Sequence, residues 1–311
     1  MDGLLVVDKP AGPTSHDIVQ RMRRVLKERS IGHTGTLDPM ATGVLALVLG
    51  RATRLAKFLS SSDKSYEAVV TLGESTDTYD ADGEPVGDRH QGPLPSRERI
   101  EAALDAFRGT FLQQPPAYSA KKIGGERSYK LARLRSRGTP ASFAASGSDS
   151  VPKAVNVTVS AIELLDMNAE DVTLRVECSA GFYVRSLAHD LGQALGTGGH
   201  LSALRRTRAG EFTLAGALSI TPGAAEQDPD EAAGFVIPMR QLLTGFPSVV
   251  LTAEGVVRAS HGREVGPLHA ELTPSPLFVP FVRLLDSSGS LIGIAEPAGA
   301  PGFLHPSIVL M

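Results

Sequence analysis

Residues 32–43 read Gly-His-Thr-Gly-Thr-Leu-Asp-Pro-Met-Ala-Thr-Gly, and their one carboxylate is Asp38. A carboxylate becomes a nucleophile, able to form a covalent intermediate, when it is held where a reacting carbon arrives. The glycine density is that of a phosphate-binding loop, but no Gly-Lys-Ser/Thr follows, which excludes a P-loop. Pro39 disfavours helical backbone at Asp38, so the side chain projects from a stiff, non-helical turn. Asp-Pro turns are also common on protein surfaces, and these residues taken alone leave both readings open.

A second acid-rich stretch, Asp77-Thr78-Tyr79-Asp80-Ala81-Asp82-Gly83, invites comparison with a calcium loop. Counting back from Gly83 puts Thr78 at the first ligand position and Arg89 at the twelfth, so both key acids are missing. Asp80 and Asp82 are instead expected to hold backbone or a bound ligand. The eight histidines and the single cysteine, Cys178, show no metal-ligand spacing, and no metal is expected. Cys178 falls at an apolar strand position and reads as a buried, inert thiol.

The elements around Asp38 follow from periodicity. Residues 3–7 form a short strand, and 9–13 a Pro/Gly turn. Thr14 and Asp17 form a capping box for a helix with Ile18, Val19, Met22, Val25 and Leu26 on one stripe. The loop 32–43 leads into the apolar run 44–49, a buried strand. Residues 51–59 form a short helix. In 66–72, Tyr66, Ala68, Val70 and Leu72 share one strand face. Ser96 caps a helix over 96–108 that stops at Gly109. Strands at 154–165 and 171–179 precede a helix over 183–195. The segment 138–152 reads as a flexible loop and 221–234 as an acidic linker. The last 66 or so residues carry short strands and one helix at 252–260, which places a domain boundary at 245/246.

The net charge is −3, yet basic residues cluster. Residues 121–137 carry seven basic residues and one acid, and further clusters lie at Arg21–Arg29 and at Arg205, Arg206 and Arg208. Such patches on an acidic chain focus a field suited to phosphates. No apolar run reaches the roughly 18 residues of a membrane helix, and the first residues are too short an apolar stretch for a signal peptide. A cytoplasmic monomer is expected.

The twelve residues around Asp38 resemble the motif that holds the catalytic aspartate of the TruB family of pseudouridine synthases. Further segments resemble that family's motifs in the same order: KPAGPTS at 9–15, DKSYE at 63–67, TDTYDADG at 76–83, QQPPAYSAKK at 113–122, GFYVRSLAHDLG at 181–192 and HLSALRRT at 200–207. The likeness spans residues 3 to 215, and the tail is similar to a PUA RNA-binding module.

The resemblance implies an α/β (α+β) pseudouridine synthase fold, with a large mixed, mainly antiparallel sheet flanked by helices and a small β-rich C-terminal domain. It implies a catalytic domain at 1–245, with a thumb-like insertion at about 110–153, and a PUA-like domain at 246–311. The activity implied is isomerisation of uridine-55 in the T-loop of tRNA, with base flipping and without any cofactor. Asp38 would be the nucleophile. Tyr66 would stack on the target base and help remove its C5 proton, and Arg185 would pair with the catalytic aspartate. Leu204 would line the pocket, and His33 would stack in the RNA loop. Lys9, Lys64, Asp80, Lys121, Lys122, Lys130 and Arg205 are expected at the RNA. A tRNA-folding chaperone and a guide-dependent ribosomal RNA synthase are the alternatives. The intact Asp38, Tyr66 and Arg185 set argues against the first, and the long 121–137 segment against the second.

Overall fold

The computed structural model describes residues 1–118, 122–123, 126–127, 153–221, 227–272 and 279–311. The chain divides into two compact units, one made of 1–39, 43–61 and 212–311, the other of 40–42 and 62–211. The boundary expected at 245/246 falls inside the first.

In the first unit, strand Gly3–Lys9 pairs antiparallel with strand Thr42–Leu49, Lys9 lying opposite Gly43. Strand Leu218–Ser219 joins Gly3–Lys9 in parallel, and Val236–Pro238 joins it antiparallel. Val44 to Leu49 are all buried, which explains why the sequence shows an unbroken apolar run rather than alternation. Helix Ser15–Val25 begins at the expected capping box: the Asp17 N–H donates to Thr14 Oγ1, and the Thr14 N–H donates to Asp17 Oδ2. The expected 51–59 helix is a 3-10 turn, Gly50–Leu55, continued by α-helix Ala56–Ser60.

The acidic linker expected at 221–234 contains a short helix, Pro229–Gly234, whose cap is Asp228 and whose first residue is proline. That pairing is a helix-start signal in its own right, outweighed in the sequence by the acidic, small-residue composition. At the C-terminus, strands Ala270–Leu272, Ser248–Leu251, Val282–Leu285, Leu291–Pro297 and Leu304–Val309 lie side by side in that order. Helix Ala253–Ser260 covers their core of Val249, Leu251, Val282, Leu284 and Ile292. Phe58, Phe246 and Phe281 meet edge-on and stacked, with Phe58 4.8 Å from Phe281 and 5.6 Å from Phe246.

The second unit is built on five antiparallel strands in the order Gly199–Ala209, Lys64–Leu72, Asp171–Cys178, Val155–Asn168 and Gly109–Gln113. The expected alternation holds: Tyr66, Ala68, Val70 and Leu72 are buried beside Val172, Leu174, Val176 and Cys178. Helix Val184–Leu195 buries Val184, Leu187, Leu191 and Leu195 and ends at Gly196, whose φ of 75° suits glycine. Gly192 lies so close to the turn that follows that a Cβ there would collide with the backbone of Gly198 and Gly199.

Candidate active site

Asp38 sits half-buried outside any regular element, as its Pro39 neighbour requires. Both flanking peptides are anchored. Ser15 Oγ accepts from the Leu37 N–H at 2.8 Å and donates to the Leu37 carbonyl at 2.9 Å. On the other side, the Pro39 carbonyl accepts from Lys9 Nζ at 3.1 Å and from the Gly12 N–H at 2.9 Å. Leu37 is itself 3% exposed. A carboxylate whose neighbours on both sides are bonded into the protein is held ready rather than ordered on demand, which is what a nucleophile gains from preorganisation.

These bonds correct the expectation for Lys9. Its side chain is wholly buried, and its ammonium is shared between the carbonyls of Pro10 and Pro39, so it is a strut under the turn and not an RNA contact. His33 is also placed differently from a loop residue. It ends strand Ile31–His33, paired with Leu47.

Arg185 is the second residue of helix Val184–Leu195, where the helix dipole disfavours a cation. The carboxylate of Asp80 lies 3.2 Å from its guanidinium, with both side chains under a tenth exposed. Arg185 also donates to the Thr78 carbonyl at 3.1 Å and the Tyr118 carbonyl at 2.8 Å. Asp80 in turn accepts from Thr78 Oγ1 at 2.5 Å and from the Asp82 N–H at 3.2 Å. Asp80 is 5% exposed and therefore organises this backbone and Arg185 rather than meeting RNA from a surface. Tyr79, between them, has a positive φ of 66° and stacks on His189 at 3.9 Å. Burial raises the Tyr79 hydroxyl's pKa, with Asp190 adding to it, and burial lowers that of His189.

Tyr66 is 9% exposed, opposite Val176 on one neighbouring strand and Arg206 on the other. Lys64, two residues earlier on the same face, is 7% exposed and donates to the Ser62 carbonyl. Burial, reinforced by Arg206, pulls its pKa down to about 8. This buried lysine also departs from the expected RNA contact. Leu204 is 9% exposed, and its carbonyl accepts from Thr42 Oγ1 at 3.3 Å. Arg205 donates to the same hydroxyl at 3.3 Å. Burial pushes the Cys178 thiol up to about 12, in keeping with an inert thiol.

Lys121 and Lys130 lie outside the described residues, and Lys122 is described only as backbone in the two-stranded pairing of Lys122–Ile123 with Glu126–Arg127. The segment 138–152 also lies outside them. Sequence reasoning missed Ser15, Gln113, Thr78 and Tyr118. All four fall within the family-like segments, but their roles run through backbone bonds to residues distant in the chain, which no local pattern singles out.

Among solved structures, the chain aligns with the crystal structure of a Cbf5-Nop10-Gar1 complex at a TM-score of 0.70 and 26% identity, covering 99% of this chain and 85% of that one. The archaeal box H/ACA sRNP Nop10-Cbf5 complex gives a TM-score of 0.69 at 24% identity, over 99% of this chain and 86% of that one. The architecture is the expected pseudouridine synthase fold: a large mixed sheet with helices and a β-rich C-terminal part.

Residues 23–184 match the N-terminal domain of TruB family pseudouridylate synthases, and residues 185–243 match the tRNA pseudouridylate synthase B C-terminal domain. The protein named tRNA pseudouridine synthase B in Solibacter usitatus is 42% identical over 310 residues, covering 100% of both chains. Its namesake in Thermobifida fusca is 40% identical, over 95% of this chain and 97% of that one. That of Aquifex aeolicus is 37% identical over 100% of each. The chain belongs to the TruB family of pseudouridylate synthases.

Proposed function

We propose that this protein is a stand-alone tRNA pseudouridine synthase that isomerises uridine-55 in the T-loop. The observation that carries the reading is the Asp38 turn, anchored through Leu37 by Ser15 and through Pro39 by Lys9 and Gly12. The names of the relatives supply the tRNA.

The reaction breaks the C1′–N1 bond of uridine, turns the base and joins C1′ to C5. The C5 proton leaves and N1 gains one, so the balance needs no oxidant and no phosphoryl donor. Asp38 supplies the carboxylate that carries the sugar or base between the two bonds. Arg185 keeps it ionised. Tyr66 stacks on the base and helps take the C5 proton. Leu204 forms an apolar wall, and His33 and Arg205 hold the RNA. The target nucleotide is extruded from its loop, which costs a few kcal/mol and is offset by phosphate contacts and stacking. The 121–137 segment, with Lys121, Lys122 and Lys130, supplies part of that field within a thumb-like insertion at about 110–153. The PUA-like module at 246–311 adds a second RNA-binding surface to the catalytic domain at 1–245. The enzyme acts as a cytoplasmic monomer. Among the described residues no helix is long and apolar enough to cross a membrane.

Incubation with tRNA carrying tritium at uridine C5 tests the reading. Release from one mapped position is expected. No release, with tRNA refolding still accelerated, would favour the chaperone alternative. Asp38→Asn is expected to abolish release while leaving tRNA affinity within about tenfold.

A further inference from the structure

Helix Val184–Leu195 carries Arg185 in its first turn, and the turn's entry residue, Tyr183, receives no side-chain cap of its own. The cap comes from another element. Gln113, the last residue of strand Gly109–Gln113, is 2% exposed. Its amide oxygen accepts from the Tyr183 N–H at 2.8 Å, and its amide nitrogen donates to the Tyr183 carbonyl at 3.0 Å. A primary amide is the side chain that can copy both halves of a backbone pair at once. The same carbonyl accepts the Leu187 N–H at 3.2 Å, so it is engaged by both the helix and Gln113.

The residues after Gln113 run along the same helix turn. Ser186 Oγ donates to the Gln114 carbonyl at 2.8 Å, and Arg185 Nη2 donates to the Tyr118 carbonyl at 2.8 Å. The start of the helix and the segment 113–118 are thus tied at residues 183, 185 and 186. Gln113 bonds both peptide groups of the residue at the helix entry, and it carries no charge that would compete with Asp80 for the guanidinium.

We infer that Gln113 is a positioning residue for Arg185, acting through the Tyr183 peptide groups. The inference rests on the reading above in which Arg185 serves the isomerisation. A cation two residues into a helix swings with the helix entry. An error of about 1 Å in a reacting group is enough to cost on the order of a hundredfold in rate. Gln113 touches neither the uridine nor Asp38 in this scheme, so its effect falls on turnover and not on RNA affinity.

A double-mutant cycle tests this, using single-turnover tritium release and tRNA affinity measured by filter binding. Gln113→Met keeps the side chain's length and packing but removes both bonds. It is expected to lower the rate by about tenfold or more while tRNA affinity stays within about threefold. Arg185→Lys and the double variant complete the cycle. If Gln113 acts through Arg185, the losses are strongly non-additive, the double variant being little worse than Arg185→Lys alone. Additive losses, or an unchanged rate in Gln113→Met, would overturn the inference while leaving the role of Arg185 intact. A wild-type rate in Arg185→Lys would remove the function assigned to Arg185, and this inference with it. Should Gln113→Met fold poorly, Ser186→Ala breaks the neighbouring bond of the same set and is expected to show the same non-additivity; its absence there would equally overturn the proposal.

Discussion

The Arg185 guanidinium lies 3.2 Å from the Asp80 carboxylate, and neither side chain is more than 8% exposed. The two residues are more than a hundred positions apart in the chain. Removing one member of a buried pair leaves an uncompensated charge, which costs far more than the pair itself contributes. Asp80→Ala is therefore expected to lose about 3 kcal/mol of stability, and Asp80→Asn less because it retains a hydrogen-bond acceptor. Urea unfolding checks this; equal midpoints for wild type and Asp80→Ala would deny the pair its structural weight.

Ser15 offers a cleaner view of the nucleophile. Ser15→Ala strips both side-chain bonds from the Leu37 peptide, a buried donor and acceptor next to Asp38. A stability loss of about 1–3 kcal/mol is expected from those unpaired groups. The rate constant for tritium release should fall while tRNA affinity does not. A variant that loses stability but keeps its rate would show that the turn does not need this anchor for chemistry.

Lys64 predicts a pH dependence of folding. The folded state gives up its proton near pH 8, because burial and then Arg206 disfavour the ammonium, whereas the ordinary lysine value is 10.5. Between those values the unfolded chain binds more protons, so this group makes the protein more stable as pH rises, and below pH 8 its penalty is complete. Cys178 works in the opposite sense. Its thiol, raised to about 12 mainly by burial, lets the unfolded chain ionise first from about pH 9 upward. Lys64 lies opposite Cys178 and each shifts the other's titration, so wild type and Lys64→Met are compared below about pH 9, before the unfolded thiol ionises. The wild type should gain on the variant between about pH 7.5 and about pH 9. A constant difference across that window would contradict the shifted titration.

The three phenylalanines join elements far apart in sequence: Phe58 on helix Ala56–Ser60, Phe246 before strand Ser248–Leu251 and Phe281 before Val282–Leu285. Phe58→Ala is expected to cost about 2 kcal/mol, less than a wholly buried phenylalanine would. Faster hydrogen exchange in Val282–Leu285 would accompany it. Exchange unchanged there would mean the rings touch without bracing that strand.

Much of this arrangement was legible in the sequence because it is local. The capping box at Thr14 and Asp17, the alternation from Tyr66 to Leu72 and the stripe from Val184 to Leu195 each declare themselves within a few residues. The non-helical setting of Asp38 follows from Pro39 alone. What the sequence hid was the fate of polar residues inside apolar elements. The resemblance puts Lys9 and Lys64 at the RNA, and a lysine is ordinarily exposed, yet each sits on a buried strand where a carbonyl takes its ammonium. For Asp80 the residues suggest a hold on backbone or RNA but no partner, since nothing local connects it to Arg185. The Asp228-Pro229 helix start was present in the residues and was masked by composition.

Gly192 has a consequence that reaches beyond its own turn. Helix Val184–Leu195 rests on residues 198 and 199 only because no carbon projects from position 192. A single added methyl would act as a wedge beneath the helix. Whatever lifted the helix there would lift its cargo with it, so the aim of Arg185 depends in part on an atom that the chain leaves out.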